Sequence, residues 1–262
     1  MKPLLLIALL PLPALADAPA GYRLVWADEF ARDGLPDPTK WGYDTEANAT
    51  GWYNNELQYY AVANARTSVI SGGQLHITAR KERLTKAADY GGQNYSSARL
   101  ITSNTQSWTY GHFEISARLP CGLGTWPAFW MLGPVDIPYP GGGEIDIMEQ
   151  VGSDPQAITS TIHSTATGGT YGIGDQTLIT DACTAFHTCA LTWTTTEIST
   201  AVDGQHILTF KNDGSGRASW PFDLPNNLLI DLAIGGDMAG PVDDAIFPVT
   251  RDLDYIRVYQ KG

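Results

Sequence analysis

Hydrophobic and polar positions alternate with a period of two along most of the chain, and the apolar positions are rich in β-branched and aromatic residues. This pattern is typical of strands with one buried face, and it predicts strands over residues 74–81, 111–119, 157–163, 197–202 and 253–259. Gly72-Gly73 and Asp203-Gly204 occupy places where tight hairpin turns are expected. Many short strands without helices predict an all-β, two-sheet antiparallel sandwich, of which a jelly roll is one version.

The segment 143–149 carries three acids in an otherwise apolar, β-forming run. Strand alternation places Glu144 and Asp146 on one face. One extra residue at 147 or 148, a β-bulge, would return Glu149 to the same face, and bulges are common beside active sites. Close carboxyl groups shift one another's pKa values, which suits acid and base chemistry. The alternative is an edge strand whose charges oppose aggregation, but the Gly-rich approach favours a catalytic cleft.

Aromatic residues are abundant, with eight Trp and twelve Tyr, and they cluster. The clusters are Trp52, Tyr53, Tyr59 and Tyr60; Trp108 and Tyr110; and Trp126, Phe129 and Trp130. Core packing explains many such residues individually. The first cluster, however, lies beside Asn54, Asn55 and Glu56, and sugars present C–H faces to aromatic rings and hydroxyls to amides and carboxylates. The clusters therefore indicate a glycan-binding groove, because a nucleic-acid groove would also need basic residues.

The net charge and the N-terminal segment limit which partners and which cellular location are expected. The formal net charge is −12, whereas nucleic acids and anionic membranes attract clustered Lys and Arg. We expect an uncharged substrate, no nucleic-acid or membrane partner, and a monomer. Residues 1–16 combine a basic residue, a short apolar stretch and an Ala14-Leu15-Ala16 cleavage pattern, which predict an export signal. We therefore expect a secreted protein, periplasmic or extracellular, with a single domain over residues 17–262.

Three cysteines in an exported chain leave one unpaired. Cys183 and Cys189 flank a short turn-like stretch and are predicted to pair, which leaves Cys121 as a free, buried thiol. No Cys or His pattern has the spacing of a zinc site, so a transition metal is not expected.

Eight motifs follow one another along the whole predicted mature chain. They are LVWADEF (24–30), NNELQYY (54–60), TARKE (78–82), SARL (97–100), YGHFE (110–114), WPAFWMLG (126–133), GEIDIME (143–149) and DYIRVY (254–259). In this order they resemble glycoside hydrolase family 16 and, within it, the laminarinase-type endo-β-1,3-glucanases. The resemblance implies a curved jelly roll with a substrate cleft on its concave sheet, and hydrolysis with retention of anomeric configuration.

By motif position, the resemblance implies that Glu144 is the nucleophile, that Glu149 is the general acid and base, and that Asp146 orients Glu144. Retention requires two carboxyl groups about 5 Å apart. Negative charge on Glu144 and Asp146 should raise the pKa of Glu149 and keep it protonated. No cofactor is implied for catalysis.

The resemblance also implies further ligands. Sugar contacts are implied for Asn54, Glu56, Arg99, Trp126, Trp130, His163 and Trp193. Three of these have structural alternatives: Arg99 as an ion pair, and His163 and Trp193 as core residues. Many members bind a structural calcium ion on the convex face, and the matching positions are Glu29, Gly73 and Asp254, mostly oxygen ligands of the kind that calcium prefers.

Three positions depart from the family pattern. Asp231 stands where the resemblance leads us to expect Asn, which places an extra acid near the cleft. Cys121 stands in a turn that is usually Gly-rich, and His163 is followed by Ser164 and Thr165 rather than Gly. The product side of the cleft could therefore be shaped differently.

The preferred hypothesis is a laminarin-type glucanase, with mixed-linkage β-1,3-1,4-glucan as a further candidate substrate. The bulged spacing of the acids separates it from strict lichenases, which have one residue fewer between the last two acids. One alternative is a hydrolase of the same fold that cuts a marine galactan, although sulfated galactans would require a more basic cleft. The other is a non-catalytic β-glucan-binding protein, whose known representatives lack the catalytic glutamates.

Overall fold

The computed structural model describes residues 18–262, so the predicted export signal at 1–16 lies outside the described residues. The strands are β1 (Tyr22–Asp28), β2 (Gly42–Tyr43), β3 (Gln58–Tyr60), β4 (Ser68–Ser71), β5 (Gln74–Lys81), β6 (Tyr95–Ser97), β7 (Arg99–Ile101), β8 (Gly111–Arg118), β9 (Thr125–Leu132), β10 (Glu144–Val151), β11 (Asp154–His163), β12 (Ile173–Leu178), β13 (His187–Trp193), β14 (Glu197–Val202), β15 (Gln205–Lys211), β16 (Asn227–Ile234) and β17 (Val249–Lys261). The helical segments are α1 (Gly236–Ala239) and two 3₁₀ turns, Tyr53–Asn55 and Asp244–Ile246. Within residues 18–262, no helix is long and apolar enough to cross a membrane.

The strands form two sheets. The larger sheet has ten strands in the order β15-β14-β13-β8-β17-β5-β6-β3, with β1 beside β17 and β4 beside β5. The smaller sheet, called the cleft sheet below, has seven strands in the order β12-β11-β10-β9-β16-β7-β2. Among the described strands, β3 and β6 pair in parallel, and the pairs next to the site are antiparallel. The predicted all-β antiparallel sandwich is confirmed.

All five strands predicted from the alternation are present, as β5, β8, β11, β14 and β17. Both predicted hairpin turns are also confirmed. Gly72 and Gly73 have φ of 60° and 79°, and Asp203 and Gly204 have φ of 49° and 77°. Two successive positive φ values give the turn whose twist matches that of antiparallel strands, and glycine adopts them without steric cost.

The side chains between the two sheets form the main core. Phe129 and Met131 of β9 and Ile145 of β10 meet Phe113 and Ile115 of β8 there, all fully buried. Burial of each such side chain contributes about 1.5–3 kcal/mol. Because side chains alternate along a strand, the neighbouring residues of β9 and β10 point to the opposite face of the cleft sheet.

A buried arginine connects the two sheets through this core. Arg251 of β17 stacks on the Phe129 ring at 3.6 Å, and its Nη1 donates to the carbonyl oxygens of Ala128 at 2.7 Å and Asp231 at 2.6 Å. Burial lowers the pKa of Arg251 to about 9. The side chain therefore holds β9 and β16, both strands of the cleft sheet, against the larger sheet.

The predicted bulge in β10 is confirmed. Asp146 pairs with Trp130 and Met148 pairs with Phe129, so Ile147 is the extra residue. The register toward β11 shifts across the same interval. Ile147 and Met148 are both fully buried, and Glu149 consequently returns to the face that carries Asp146.

The predicted disulfide is wrong. The bond joins Cys121 to Cys183, with a Cα–Cα distance of 5.7 Å, and Cys189 is the free, buried thiol. Cys189 lies inside β13, paired between Ile115 and Val202, and its side chain faces the core. The turn that carries Cys183 is instead fastened to the end of β8, since Leu119 N donates to the Ala182 carbonyl at 3.0 Å. That contact brings Cys183 to the loop containing Cys121.

Candidate active site

The candidate site lies on the face of the cleft sheet opposite the core. Cross-strand register places Glu149, Ala128, Asp231 and Arg99 in one row across β10, β9, β16 and β7. Adjacent strands are about 4.8 Å apart, so the backbones of Glu149 and Asp231 are roughly 10 Å apart. Only the methyl group of Ala128 stands between them in the row, which leaves a gap between the two carboxyl groups.

Three carboxyl groups share one end of this face. Glu144 and Glu149 are half-buried and Asp146 is buried. Burial is the largest cause that raises the pKa of each of them. Like charges add to this effect, since Asp146 acts on Glu144, and Glu149 acts on Asp146. The three groups therefore titrate as one coupled set rather than singly.

His163 of β11 is joined to this set through Asp146. Its Nε2 lies 3.1 Å from Asp146 Oδ2, and its Nδ1 lies 3.3 Å from the carbonyl oxygen of Gly168. A carbonyl only accepts, so Nδ1 is the donor in that contact. Ser160 Oγ donates to the backbone carbonyl of Asp146 at 2.6 Å. Asp146 is thus held at its side chain by His163 and at its backbone by Ser160.

Glu149 is oriented by an indole. Trp126 Nε1 donates to Glu149 Oε1 at 3.0 Å, which leaves the second carboxyl oxygen available. Like charges on Glu144 and Glu149 repel each other, since Glu149 raises the pKa of Glu144. Such repulsion in a partly buried site favours one charged and one protonated carboxyl group.

Arg99 lies at the other end of the row, among three carboxylates. Its guanidinium nitrogens are 3.6 Å from Asp44, 3.5 Å from Glu56 and 3.5 Å from Asp231. Burial alone would lower the pKa of Arg99, but Tyr60 and these carboxylates raise it, so the group stays charged. One cation facing three acids leaves this end of the site negative.

Three aromatic rings surround the same guanidinium. The ring centroids of Trp52, Tyr60 and Trp130 lie 4.5, 4.7 and 5.2 Å from its central carbon, within the range of cation–π attraction. Trp130 Nε1 donates to Asp231 Oδ1 at 2.7 Å, and the Tyr60 hydroxyl donates to Asp231 Oδ2 at 3.1 Å. Two of the three rings are thus fixed by one carboxylate.

Glu56 and Asn54 lie where the 3₁₀ turn Tyr53–Asn55 leads into β3. Glu56 accepts from Gln58 Nε2 at 2.7 Å in addition to its contact with Arg99, and burial raises its pKa. Asn54 adopts a positive φ of 54° and is exposed at the rim. The structure therefore places Glu56, Arg99, Trp126, Trp130 and His163 on the same face as the three acids, and Asn54 in the exposed turn that precedes Glu56.

Trp193 is not part of this face. It lies in β13 of the larger sheet with 0% of its surface exposed, and its Nε1 donates to the Phe222 carbonyl at 3.0 Å. Its ring packs edge-on against Tyr110. The expected sugar contact of Trp193 is therefore wrong, because the inward face of β13 belongs to the core between the sheets.

Three residues that lie beside the acids or Arg99 were not among the site residues predicted from the sequence. Asp231 was noted only as an extra acid, and Tyr60 only as a member of an aromatic cluster. Tyr139 was not identified, although it precedes Pro140 in the Gly-rich approach to β10. Its hydroxyl donates to the Gly169 carbonyl at 2.8 Å, and partial burial together with the charge of Glu144 raises its pKa.

The chemistry of this face defines a class of protein. An all-β sandwich that sets partly protonated carboxyl groups among indole rings has the parts needed to cleave a glycosidic bond: carboxyl groups attack carbon and move protons, and the rings stack on sugars. The family model of glycosyl hydrolases family 16 matches residues 55–247. The chain belongs to this family, which confirms the resemblance seen in the motifs.

Individual relatives agree with this assignment. The chain is 43% identical over 259 residues to a β-glucanase of Rhodothermus marinus, covering 94% of this chain and 87% of the relative. It also resembles the solved structure of SCLam, a non-specific endo-β-1,3(4)-glucanase, with a TM-score of 0.90, 47% identity, and 93% and 96% of the two chains covered. That structure, of a mutant, holds 1,3-β-D-cellobiosyl-glucose at its active site. The solved laminarinase of Rhodothermus marinus matches with a TM-score of 0.86 and 42% identity, over 92% and 98% of the chains.

Proposed function

We propose that this protein is a secreted, retaining endo-β-1,3-glucanase that also accepts mixed-linkage β-1,3-1,4-glucan. The observation that carries the proposal is the bulge at Ile147, which sets Glu144 and Glu149 on one face of β10 beside Trp126 and Trp130. The β-1,3- and β-1,3(4)-glucan activities named for the relatives support the substrate class. The bound cellobiosyl-glucose of SCLam supports tolerance of both linkages.

In the first step, a Glu144 oxygen attacks the anomeric carbon while the bond from that carbon to the glycosidic oxygen breaks. Glu149 gives its proton to the departing oxygen, so that a glycosyl ester on Glu144 and a free sugar hydroxyl are formed. In the second step, Glu149 removes a proton from water as the water oxygen attacks the same carbon and releases Glu144. Two inversions at one carbon give net retention, and no cofactor takes part.

Asp146 and His163 support the nucleophile. Asp146 lies between Glu144 and Glu149 on β10 and is held by His163 at 3.1 Å, so it is placed to orient the nucleophile. The first step needs Glu144 charged and Glu149 protonated, and the raised pKa of Glu149 supports the second requirement.

The sugar chain lies along the row from Glu149 to Arg99. Trp126 and Trp130 flank Ala128 on the same face of β9, where their rings border the gap between Glu149 and Asp231. Glu56 and Asn54 offer carboxylate and amide groups to sugar hydroxyls at the far end. The protein works as a monomer outside the cytoplasm, and residues 17–262 form its single catalytic domain.

The proposal is tested by reducing-sugar release from laminarin, lichenan, cellulose, xylan, agarose and carrageenan. We expect rapid hydrolysis of laminarin, hydrolysis of lichenan, and no hydrolysis of the others. Oligosaccharides of several lengths should appear early in the laminarin digest, because cleavage is internal. Hydrolysis of agarose alone, or binding of laminarin without any cleavage, would overturn the assignment.

A structural calcium ion is proposed at the bulge of β17 on the larger sheet. Asp254 is the extra residue between Leu253 and Tyr255. The proposal is supported by the strands around it: β1, which Glu29 follows, and β5, which Gly73 precedes, both pair with β17. Partial burial and the charge of Glu29 raise the pKa of Asp254. Arg257 binds both oxygens of Glu29, at 2.7 and 2.9 Å. Carboxylate and carbonyl oxygens are nevertheless the ligand types that calcium prefers.

Removal of calcium is expected to lower the melting temperature by about 5 °C or more while leaving activity of the still-folded protein nearly unchanged. The physical reason is that the ion binds the folded state on the sheet that does not carry the acids. Calorimetry with and without chelator measures the shift. Asp254→Asn is the matched control and should make the melting temperature insensitive to chelator. An equal chelator response in both proteins, or none in the wild type, would discard the site.

A further inference from the structure

Asp231 is the one acid of the Arg99 cluster that lies in the same strand row as Glu149. The residue is 2% exposed. Its carboxylate contacts Trp130 Nε1 at 2.7 Å, the Tyr60 hydroxyl at 3.1 Å and Arg99 Nε at 3.5 Å. Its backbone carbonyl accepts from Arg251, at 2.6 Å. Every oxygen of the residue is therefore engaged, and the carboxylate cannot rotate away from the row.

A carboxylate at this position does two things that an amide cannot. It accepts from Trp130 and Tyr60 with both of its oxygens, whereas an amide offers one accepting oxygen, and its N–H would require the Tyr60 hydroxyl to accept instead of donate. It also places a full negative charge across the Ala128 gap from Glu149. The charge of Arg99 does not cancel it, because Asp44 and Glu56 share the same guanidinium.

The titratable groups around Glu149 come from five segments. Glu144 and Asp146 lie on its own strand, His163 on β11, Asp231 on β16, Glu56 just before β3, and Tyr139 in the loop before β10. From β9 it receives only the neutral indole of Trp126. Among the acids outside β10, Asp231 is the larger cause that raises the pKa of Glu149, ahead of Glu56, while His163 and the Trp126 hydrogen bond lower it.

We propose that Asp231 is a positioning residue for the reaction: it fixes Trp130 and Tyr60 as the wall of the sugar site and supplies the negative charge across the cleft that holds the proton on Glu149. The inference rests on the proposed glycosidase function and adds a residue to it. Asp231 touches neither the anomeric carbon nor the leaving oxygen and acts through its neighbours. The extra acid is then a functional feature of this chain, because it extends the pH range in which Glu149 can donate.

The test compares pH profiles of kcat/KM for the wild type and Asp231→Asn. Glu149 donates its proton only below its pKa, so removing the negative charge should move the basic limb to lower pH. We expect a shift of about half a pH unit or more. One unit charge roughly 10 Å from a carboxyl group changes its pKa by about this amount at an effective dielectric constant near 40. Near neutral pH, kcat/KM should fall about tenfold or more, since a charge-assisted hydrogen bond to a fixed ring is also lost.

Two variants separate the parts of this role. Asp44→Asn also removes a carboxylate partner of Arg99, but Asp44 does not lie in the strand row that contains Glu149. This variant should therefore leave the basic limb in place. Tyr60→Phe removes one hydrogen bond to Asp231 and retains its charge, so kcat/KM should fall without a shift of the limb. If Asp231→Asn does not fold, Asp231→Ser, which is smaller and also neutral, should give the same shift.

The outcomes are distinct from those of the function test. The wild type is assayed on whichever polysaccharide of the panel it cleaves. The identity of that polysaccharide tests the proposed function. The position of the basic limb in the variants, relative to the wild type, tests the role of Asp231. A limb that stays in place in the neutral variants, or that moves equally in Asp44→Asn, would show that Asp231 is only structural. A limb that moves to higher pH would also overturn the proposal, because the sign would be wrong.

Discussion

Glu144→Ser is expected to lower laminarin hydrolysis by about 10⁴-fold or more. A serine hydroxyl is uncharged and too short to reach the carbon that the glutamate oxygen attacks, so the glycosyl ester does not form. The fold should persist, because Glu144 lies on the cleft face of β10 while Ile145 and Ile147 keep their places in the core. Reducing-sugar release measures the rate, and the melting temperature reports the fold.

Glu197→Ser is the matched control. It also replaces a half-buried strand glutamate by serine, but in β14 of the larger sheet. Its rate should stay close to that of the wild type. Laminarin should still bind to Glu144→Ser in calorimetric titration, since the rings of Trp126 and Trp130 are untouched. Near-normal hydrolysis by Glu144→Ser would refute the nucleophile assignment.

Glu149→Gln is expected to remove nearly all laminarin hydrolysis while retaining much more activity on an activated aryl glycoside. Glutamine has the shape of protonated glutamate and can still accept from Trp126 Nε1, so the geometry is preserved. It cannot release a proton, and the sugar oxygen of laminarin would have to leave unprotonated. An aryl leaving group needs little protonation, so formation of the intermediate on Glu144 continues.

The comparison of two substrates therefore separates the two glutamates. The ratio of aryl glycoside to laminarin activity should rise strongly in Glu149→Gln and should not rise in Glu144→Ser, which lacks the nucleophile for both substrates. If Glu149→Gln hydrolysed laminarin at a normal rate, another carboxyl group would be the proton donor, and Asp231 or Glu56 would be the next to test.

The pH profile of the wild type should agree with this role. Burial and the charge of Asp231 raise the pKa of Glu149, although the Trp126 hydrogen bond opposes them. The proton-donating form is present below this raised pKa and is lost as the pH rises through it, so kcat/KM on laminarin should decline on the basic side. In Glu149→Gln, assayed on the aryl glycoside, that decline should be absent.

The sequence alone was sufficient for the features that depend on local periodicity. Alternation located β5 and β14 at their observed bounds, and the Gly72-Gly73 turn followed from the need for positive φ. The bulge near Ile147 was predictable because three acids can share one face only if one residue is added. Each of these features is determined by neighbouring residues along the chain.

Features that depend on contacts between distant segments were not predictable in this way. Cys183 is nearer in sequence to Cys189, yet it bonds to Cys121, because Cys189 is turned into the core by the alternation of β13. Trp193 was assigned to the cleft by resemblance, although its strand belongs to the larger sheet. Chain proximity and motif position say little about which sheet a residue joins.

The sequence by itself determined the class of fold, the family and the three acids of β10, because these are written in local patterns and in motif order. Only the tertiary structure decided which residues stand beside those acids. The order β10-β9-β16-β7 aligns Glu149, Ala128, Asp231 and Arg99 in one row although they are far apart in the chain. Strand order and register depend on how the whole core packs, and they turn a lone acid such as Asp231 into a partner of Trp130, Tyr60 and Arg99.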